Sequence, residues 1–201
     1  MMKIVCFGDS ITARKEGYPV PILTYKLSAK MPGYRFINAG VSGDTTNQAR
    51  VRLEKDVLKK KPDLVTVLFG ANDSAAHHLV KIELFKENLQ SFTQKIGPSK
   101  TILISPAPVD EKLQPNRSNE RLQEYAKAVE EVAKETGSHY INFFKEFYEK
   151  ENYRALLKGH DNDGLHFGEA GYNLLSGLIS QKLIELKEIK PSLLKRVFNM
   201  F

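Results

Sequence analysis

The feature that most constrains the fold of this chain is the regular alternation of short apolar runs with longer segments of helical period. The runs are four to six residues long and rich in valine, isoleucine, leucine and phenylalanine. Strands of this composition are typical of parallel sheets that are buried on both faces. We therefore predict five strands, at residues 3–7, 36–39, 64–69, 101–105 and 139–143.

Apolar residues in the intervening segments recur three or four positions apart, which is the spacing of helices that bury one face. The stripes are Ala49, Leu53 and Val57; Ile82, Phe85, Leu89, Phe92 and Ile96; Leu122, Tyr125, Ala126, Val129, Val132 and Ala133; and Leu175, Ile179, Leu183 and Leu186. Strands that alternate with helices are joined by right-handed crossovers, so the pattern predicts an α/β fold, a three-layer α/β/α sandwich. No repeat or linker interrupts it, and we predict one domain over residues 1–201.

The composition excludes several other classes of protein. The single Cys6 rules out an intrachain disulfide and a thiolate metal cluster. No apolar run approaches the ~18 residues of a membrane span, and the apolar stretch after Lys3 is too short for a signal peptide. The net charge is +6, but the basic residues are scattered among acids, which does not favour nucleic acid as a partner. We expect a cytoplasmic protein without stable membrane insertion.

Small polar residues follow the first three predicted strands at the point where each strand ends. The sequences are Gly-Asp-Ser at 8–10, Gly-Val-Ser-Gly-Asp at 40–44 and Gly-Ala-Asn-Asp at 70–73. In open parallel sheets, ligands bind beyond the carboxyl ends of the strands. The sequence therefore predicts one shared site built from these three turns.

Ser10 is the candidate nucleophile of that site. It lies where the first strand ends and a helix can begin, so its hydroxyl is exposed and its N–H points toward the site. A serine in this position is also a favoured helix N-cap, which is the alternative role. To act as a nucleophile, it needs a base that takes its proton.

The candidate base is His166, because Asp163 precedes it by three residues in the sequence Asp-Gly-Leu-His. In a tight turn, which Gly164 favours, the carboxylate reaches one ring nitrogen, fixes the tautomer and leaves the other nitrogen free. The alternative is a capped loop before a helix that begins near Glu169.

Acyl transfer also needs hydrogen-bond donors for the oxyanion, and each such donor contributes about 3–4 kcal/mol in the transition state. The Asn72 side chain, the Gly43 N–H and the Ser10 N–H are the candidate donors. Gly43 has no side chain that would block a close approach. Alternatively, the glycines and Asn72 serve only to form turns.

Four motif blocks resemble those of the SGNH/GDSL hydrolase family, in the family's order and along nearly the whole chain. They are Phe-Gly-Asp-Ser-Ile-Thr at 7–12, Asn-Ala-Gly-Val-Ser-Gly-Asp-Thr-Thr at 38–46, Gly-Ala-Asn-Asp at 70–73 and Asp-Gly-Leu-His at 163–166. Within the family, the third block with its preceding Phe69 and the fourth block look like the branch of isoamyl-acetate-hydrolysing esterases and bacterial lipases/acylhydrolases.

The resemblance implies a flavodoxin-like sandwich of about five parallel strands. It assigns Ser10 as nucleophile, His166 as base and Asp163 as the acid that orients the base, with Ser10, Gly43 and Asn72 as the oxyanion hole. The implied reaction is ester hydrolysis through an acyl-enzyme on Ser10, which requires no metal or organic cofactor. A free imidazole has a pKa of ~6.5, so kcat/KM is expected to rise with pH through roughly 6–7.5.

The substrate is less constrained than the reaction. The short chain shows no lid insertion, which favours small-molecule esters with short acyl groups. Acetylated sugars, thioesters and lysophospholipids are alternatives at the same site. Candidate walls of the pocket are Leu165, Val41, Ala71 and residues 106–109.

Two other classes of function fit parts of the same pattern. One is a non-catalytic flavodoxin-like module that binds an anion at its glycine turns. The other is metal-assisted phosphoester hydrolysis by Asp9, Asp73, Asp163 and His166, which requires that these ligands converge on one ion.

The end of the sequence carries an apolar stripe of Leu193, Leu194, Val197, Phe198 and Phe201. We predict that residues 191–201 form a C-terminal amphipathic helix that packs on the chain's own body. The alternatives are a homo-oligomer contact and a membrane-surface anchor.

Overall fold

Five parallel strands form one sheet in the computed structural model, which describes the backbone of residues 1–198 and the side chains of residues 1–188. The strands are β1 (Met2–Gly8), β2 (Tyr34–Gly40), β3 (Leu64–Leu68), β4 (Thr101–Ile104) and β5 (His139–Ile141), in the spatial order β2-β1-β3-β4-β5. All five predicted strands are confirmed, and their order is that of a flavodoxin-like sheet.

Helices cover both faces of the sheet. They are α1 (Ser10–Ala13), α2 (Ile22–Lys30), α3 (Thr46–Asp56), α4 (Ile82–Ile96), α5 (Asn119–Thr136), α6 (Phe143–Tyr148), α7 (Tyr153–Leu156) and α8 (Glu169–Phe198). The predicted apolar stripes lie along α3, α4, α5 and α8. Apolar spacing does not indicate α1, α2, α6 and α7, because none is long enough to repeat an apolar stripe over several turns. Of these four, only α1 is expected, from the end of the first strand at Ser10.

Alternate residues of the strands enter two separate hydrophobic cores. Ile4 and Cys6 of β1 face one core together with α2 and α8, whereas Val5 and Phe7 face the other core together with α3, α4 and α5. Every residue of β3 is buried. The strands therefore read as continuous apolar runs, and the architecture is the predicted three-layer α/β/α sandwich.

The fifth strand ends two residues earlier than predicted. β5 ends at Ile141, and the side chain of Asn142 accepts a hydrogen bond of 3.1 Å from the N–H of Lys145, which caps α6. Phe143 is fully buried as the first residue of this helix. A polar N-cap inside an apolar run thus ends the strand, because its side chain satisfies a free N–H of the helix that follows.

The last described element, α8, begins at Glu169 as predicted. No helix of the described chain combines the length and apolarity that crossing a bilayer requires. The side chains of the predicted amphipathic segment, residues 191–201, lie outside the described part. The role of that segment and the cytoplasmic location stay predictions.

Candidate active site

The carboxyl ends of β1, β2 and β3 meet at one edge of the sheet. Gly8 pairs with Gly40 of β2 on one side and with Leu68 of β3 on the other. The chain adds β2 on one side of β1 and all later strands on the other side, so the winding direction reverses between β1 and β3. Open α/β sheets form a cleft at such a reversal, and the three polar turns lie there.

Ser10 is the first residue of α1, directly beyond β1, and only 9% of its surface is exposed. The preceding Asp9 caps the helix, since its Oδ1 accepts a hydrogen bond of 2.9 Å from the N–H of Ile11. The alternative in which Ser10 is the N-cap is therefore wrong. Because Asp9 serves as the cap, the hydroxyl of Ser10 is left for another partner.

Two glycines allow α1 to lie very close to the ends of β1 and β2. A β-carbon on Gly40 would lie 2.5 Å from the backbone nitrogen of Ala13 in α1. A β-carbon on Gly8 would overlap the Thr12 side chain of the same helix and would lie 2.8 Å from the carbonyl oxygen of Leu68 in β3. Backbone atoms cannot rotate away from such a clash. Glycine at both strand ends therefore determines how closely the helix that carries Ser10 approaches the sheet.

The structure brings His166 into contact with Ser10. The Nε2 atom of His166 lies 2.9 Å from Ser10 Oγ, and its Nδ1 atom lies 2.6 Å from Asp163 Oδ2. A carboxylate only accepts hydrogen bonds, so Nδ1 carries the hydrogen and Nε2 presents its lone pair to the serine hydroxyl. The three residues expected to be nucleophile, base and acid thus form one chain of hydrogen bonds.

Asp163 is held in its orientation by its own loop. Its Oδ1 atom accepts hydrogen bonds from the N–H of Leu165 at 3.0 Å and from the N–H of His166 at 2.9 Å. Burial alone would raise the pKa of Asp163, but these bonds and the contact with the His166 ring outweigh it and lower the pKa below its usual value. The side chain is therefore a carboxylate at neutral pH, as the stabilisation of an imidazolium requires.

Two charged residues tie the loop before Asp163 to the end of α1. The Glu16 carboxylate accepts hydrogen bonds from the Arg14 side chain and, at 2.6 Å, from the N–H of His160. Arg14 also contacts Asp161 at 2.6 Å. Glu16 has a φ of 48°, which is uncommon outside glycine. This link was not predicted from the sequence, since neither Arg14 nor Glu16 belongs to a pattern that distinguishes it from other surface charges.

The turns that carry the candidate oxyanion donors are bonded to each other. Asn72 Nδ2 donates a hydrogen bond of 3.0 Å to the carbonyl of Asp44, the neighbour of Gly43. Gly43 has a φ of 84°, a left-handed conformation that favours glycine. Among the backbone groups of residues 1–198 and the side chains of residues 1–188, none accepts a hydrogen bond from the backbone N–H of Gly43 or of Ser10. Both N–H groups are thus free to bind a ligand.

Arg52 of α3 anchors the turn after β2, and the sequence analysis did not single it out. Its Nε atom lies 2.5 Å from Asp44 Oδ2. Its Nη1 and Nη2 atoms donate to the carbonyls of Ala39 at 2.7 Å and of Gly8 at 2.9 Å. One guanidinium thereby joins the ends of β1 and β2 to the turn that carries Gly43.

A small apolar hollow lies among residues next to the turns after β1 and β3, the segment after β4 and the His166 loop. Its free volume is about 10 Å³, the space of roughly one water molecule. Its walls include Ile11, Ala71, Pro106, Ala107, Leu165 and Phe167. Of the predicted walls, Leu165, Ala71, Pro106 and Ala107 line the hollow, whereas Val41, Pro108 and Val109 do not.

The ligands of the metal-assisted alternative are not gathered at one point. In the described part of the chain, the ligand atoms of Asp161, Asp163 and His166 lie within 4.8 Å of one another, and Asp9 and Asp73 are not in this group. Asp9 and Asp73 instead accept hydrogen bonds from backbone N–H groups, and burial raises their pKa values to about 7 and about 6. A metal ion at the group of three would compete with the bond between Asp163 and His166.

This chain is similar to known proteins both in sequence and in structure. The model of the GDSL-like lipase/acylhydrolase family matches residues 6–174. The crystal structure of a lipase/acylhydrolase from Enterococcus faecalis has a TM-score of 0.84 and 36% sequence identity, over 96% of this chain and 97% of that chain.

Two relatives with esterase names match over most of their length. The isoamyl acetate-hydrolyzing esterase 1 homolog of Homo sapiens is 29% identical, over 94% of this chain and 86% of that protein. An acetylxylan esterase of Geobacillus stearothermophilus is 28% identical, over 87% of this chain and 90% of that protein. Since the family match contains all four motif blocks, the chain belongs to the GDSL-like lipase/acylhydrolase family, as the resemblance predicted.

Proposed function

We propose that this protein hydrolyses carboxylic esters of small acyl groups, with Ser10 as the nucleophile. The observation that carries the proposal is the chain of hydrogen bonds from Ser10 through His166 to Asp163, with distances of 2.9 and 2.6 Å. Membership of the lipase/acylhydrolase family and similarity to two named esterases support ester hydrolysis.

The first half of the reaction forms the acyl-enzyme. His166 Nε2 takes the hydroxyl proton of Ser10 while Oγ bonds to the carbonyl carbon of the ester. The N–H groups of Ser10 and Gly43 and the Asn72 amide donate hydrogen bonds to the carbonyl oxygen as it becomes negative. When the bond between the carbonyl carbon and the alkoxy oxygen breaks, the alcohol leaves with the proton from His166.

The second half releases the acid. His166 takes a proton from a water molecule while the water oxygen bonds to the acyl carbon. The bond to Ser10 Oγ then breaks, and the serine regains its proton from His166. Asp163 stays ionised throughout and stabilises the imidazolium that forms in each half.

The apolar hollow lined by Asp9 and Ile11, the chain neighbours of Ser10, is the basis for the expected size of the acyl group. With a free volume of about 10 Å³, it accommodates a methyl-sized group, whereas a long acyl chain requires that buried walls such as Leu165 and Phe167 move. We therefore expect acetyl esters to be cleaved faster than octanoyl esters. Acetyl esters of carbohydrates are the second candidate substrates, favoured by the similarity to the acetylxylan esterase.

The test is hydrolysis of p-nitrophenyl esters of increasing acyl length by wild type and by Ser10→Ala. We expect turnover that declines from acetate to octanoate, and a loss of about 10⁴-fold or more in kcat in the variant. Ser28→Ala is the matched control, because Ser28 is exposed on α2. Turnover that persists in Ser10→Ala contradicts the assigned nucleophile, and faster cleavage of octanoate contradicts the assigned acyl size.

Two further measurements separate the other classes of function. An organophosphonate that labels Ser10 covalently indicates an activated serine, which a non-catalytic binding module lacks. A chelator such as EDTA abolishes a metal-assisted reaction and leaves a serine esterase unaffected.

A separate measurement distinguishes the two candidate substrate classes. It compares the rate of acetate release from acetylated xylooligosaccharides with the rate from acetate esters of simple alcohols.

A further inference from the structure

The irregular segment between β4 and α5 sends one arginine to the candidate oxyanion hole. The side chain of Arg117 is partly buried and donates three hydrogen bonds. Its Nε atom donates to the Ala71 carbonyl at 2.8 Å, Nη2 to Asn72 Oδ1 at 3.0 Å and Nη1 to Gln114 Oε1 at 2.7 Å. The guanidinium thus contacts both the backbone and the side chain of the turn after β3.

The contact with Arg117 determines which end of the Asn72 amide faces the site. A guanidinium only donates hydrogen bonds, so the atom that faces it must be the amide oxygen, and Nδ2 must point the opposite way. One hydrogen of Nδ2 goes to the Asp44 carbonyl at 3.0 Å. The second hydrogen is left for a ligand. A rotated amide would instead present an oxygen to the oxyanion and repel it.

The positive charge of Arg117 also strengthens Asn72 Nδ2–H as a hydrogen-bond donor. A hydrogen bond from an ionised group is stronger than a neutral one, and it polarises the next bond in the chain. Burial lowers the pKa of Arg117, and the nearby carboxylates of Asp9 and Asp163 oppose this effect. The amide of Asn72 is therefore polarised from its oxygen side, which makes Nδ2–H a better donor.

The same arginine is linked to the His166 loop. Gln114, held by Arg117, donates from Nε2 to the Asp163 carbonyl at 2.8 Å. The N–H of Asp110, in the same segment, donates to the Gly164 carbonyl at 2.8 Å. The segment therefore connects the turn with the oxyanion donor to the loop with the base.

We propose that Arg117 is a positioning residue for ester hydrolysis. It holds the Asn72 amide so that Nδ2–H points toward the developing oxyanion. Through Gln114, it also holds the Asp163 loop at a constant distance from Asn72 Nδ2. This role rests on the proposed function, since it is defined by the oxyanion of an ester reaction at Ser10.

The first test is Arg117→Ala, assayed with p-nitrophenyl acetate. We expect kcat to fall about 10²-fold, the loss typical of one oxyanion donor, with KM nearly unchanged, because the contact matters most when the charge develops. Arg121→Ala is the matched control: Arg121 donates at 3.1 Å to the Ser74 carbonyl in the same region but does not contact Asn72. We expect this control to keep the wild-type kcat.

A double-mutant cycle with Asn72→Ala separates positioning from general support of the fold. If Arg117 acts mainly through Asn72, its replacement lowers kcat much less once Asn72 is alanine, because only the link through Gln114 to the Asp163 loop is then lost. We also expect added guanidinium at millimolar concentration to restore part of the kcat of Arg117→Ala and none of that of Asn72→Ala. Equal losses from Arg117→Ala in the two backgrounds overturn the proposal.

Two controls distinguish loss of positioning from misfolding of the variant and from failure of the proposed function. Arg117→Lys retains the charge and the aliphatic stem but not the forked donor, so it decides the question if the alanine variant does not fold. We expect its kcat to fall as well, and a wild-type kcat in this variant overturns the proposal. Wild type and Ser10→Ala are assayed in parallel: an inactive wild type or an active Ser10→Ala rejects the proposed function itself, whatever Arg117 does.

Discussion

Ser10 and His166 lie 156 positions apart in sequence and 2.9 Å apart in the fold. The residue types alone suggest their roles, because a serine nucleophile needs a base and Asp-x-x-His provides an oriented imidazole. The types do not reveal that Asp9 rather than Ser10 caps α1. Both residues are good N-caps, and only the point at which β1 ends decides which of them takes that position.

Buried Asp73 predicts a pH dependence of stability. Burial raises its pKa to about 6, although Thr46 donates two hydrogen bonds to Oδ1. The unfolded chain releases this proton near 3.8, so between about pH 4 and 6 the folded protein holds more protons than the unfolded one. The contribution of Asp73 to the free energy of unfolding therefore falls as pH rises through this window.

Asp73→Asn removes this dependence, because an amide does not ionise. We expect the free energy of unfolding of the variant, relative to that of wild type, to increase between pH 4 and 7. For a pKa shift of this size, the increase is on the order of 3 kcal/mol. Urea unfolding at pH 4, 5, 6 and 7 measures it, and Glu54→Gln, at an exposed site on α3, is the control. A difference between Asp73→Asn and wild type that stays constant with pH contradicts the prediction.

At the scale of elements, short apolar runs predicted every strand, and apolar residues three or four positions apart predicted the four longest helices. Both signals are local properties of the sequence. The short helices were not predicted from apolar spacing. α1 has four residues and α6 has six, too few for an apolar stripe to repeat. Their positions depend on caps and on close packing, as the N-cap Asn142 and the glycines at the strand ends illustrate.

The close approach of α1 to the sheet predicts the effect of Gly40→Ala. The added β-carbon would lie 2.5 Å from Ala13 N and 2.8 Å from Thr12 C, so the helix must shift. We expect a loss of about 1–3 kcal/mol in the free energy of unfolding and a lower kcat, because Ser10 moves with α1. Urea unfolding and ester hydrolysis measure the two effects.

Gly33→Ala is the control for this change, since a β-carbon there meets nothing within 4 Å. We expect this variant to match wild type in both assays. If Gly40→Ala is as stable and as active as Gly33→Ala, the backbone between β2 and α1 accommodates a side chain, and the position of α1 does not depend on glycine at residue 40.

For the whole molecule, α8 is joined by a hydrogen bond to α1, the helix that carries Ser10. Tyr172 is fully buried in α8, and its hydroxyl donates a hydrogen bond of 2.9 Å to the carbonyl of Ile11 in α1. Tyr172→Phe leaves that buried carbonyl without this donor, so we expect a loss of about 1–3 kcal/mol in the free energy of unfolding. Tyr25→Phe, at a side chain that is 47% exposed, is the control. Equal stability of the two variants in urea contradicts a role of this bond in joining the two helices.

The sequence by itself determined the alternation of strands and helices, the family and the polar turns that end the first three strands. Periodicity and turn residues are local signals, and four motif blocks in a constant order are specific. Only the tertiary structure decided which side chains meet. Arg52, Glu16 and Arg117 bind partners up to 144 positions away, and a single charged residue carries no periodic signal. Its partner depends on which strands are neighbours and on where the loops beyond them return, which is a property of the folded sheet as a whole.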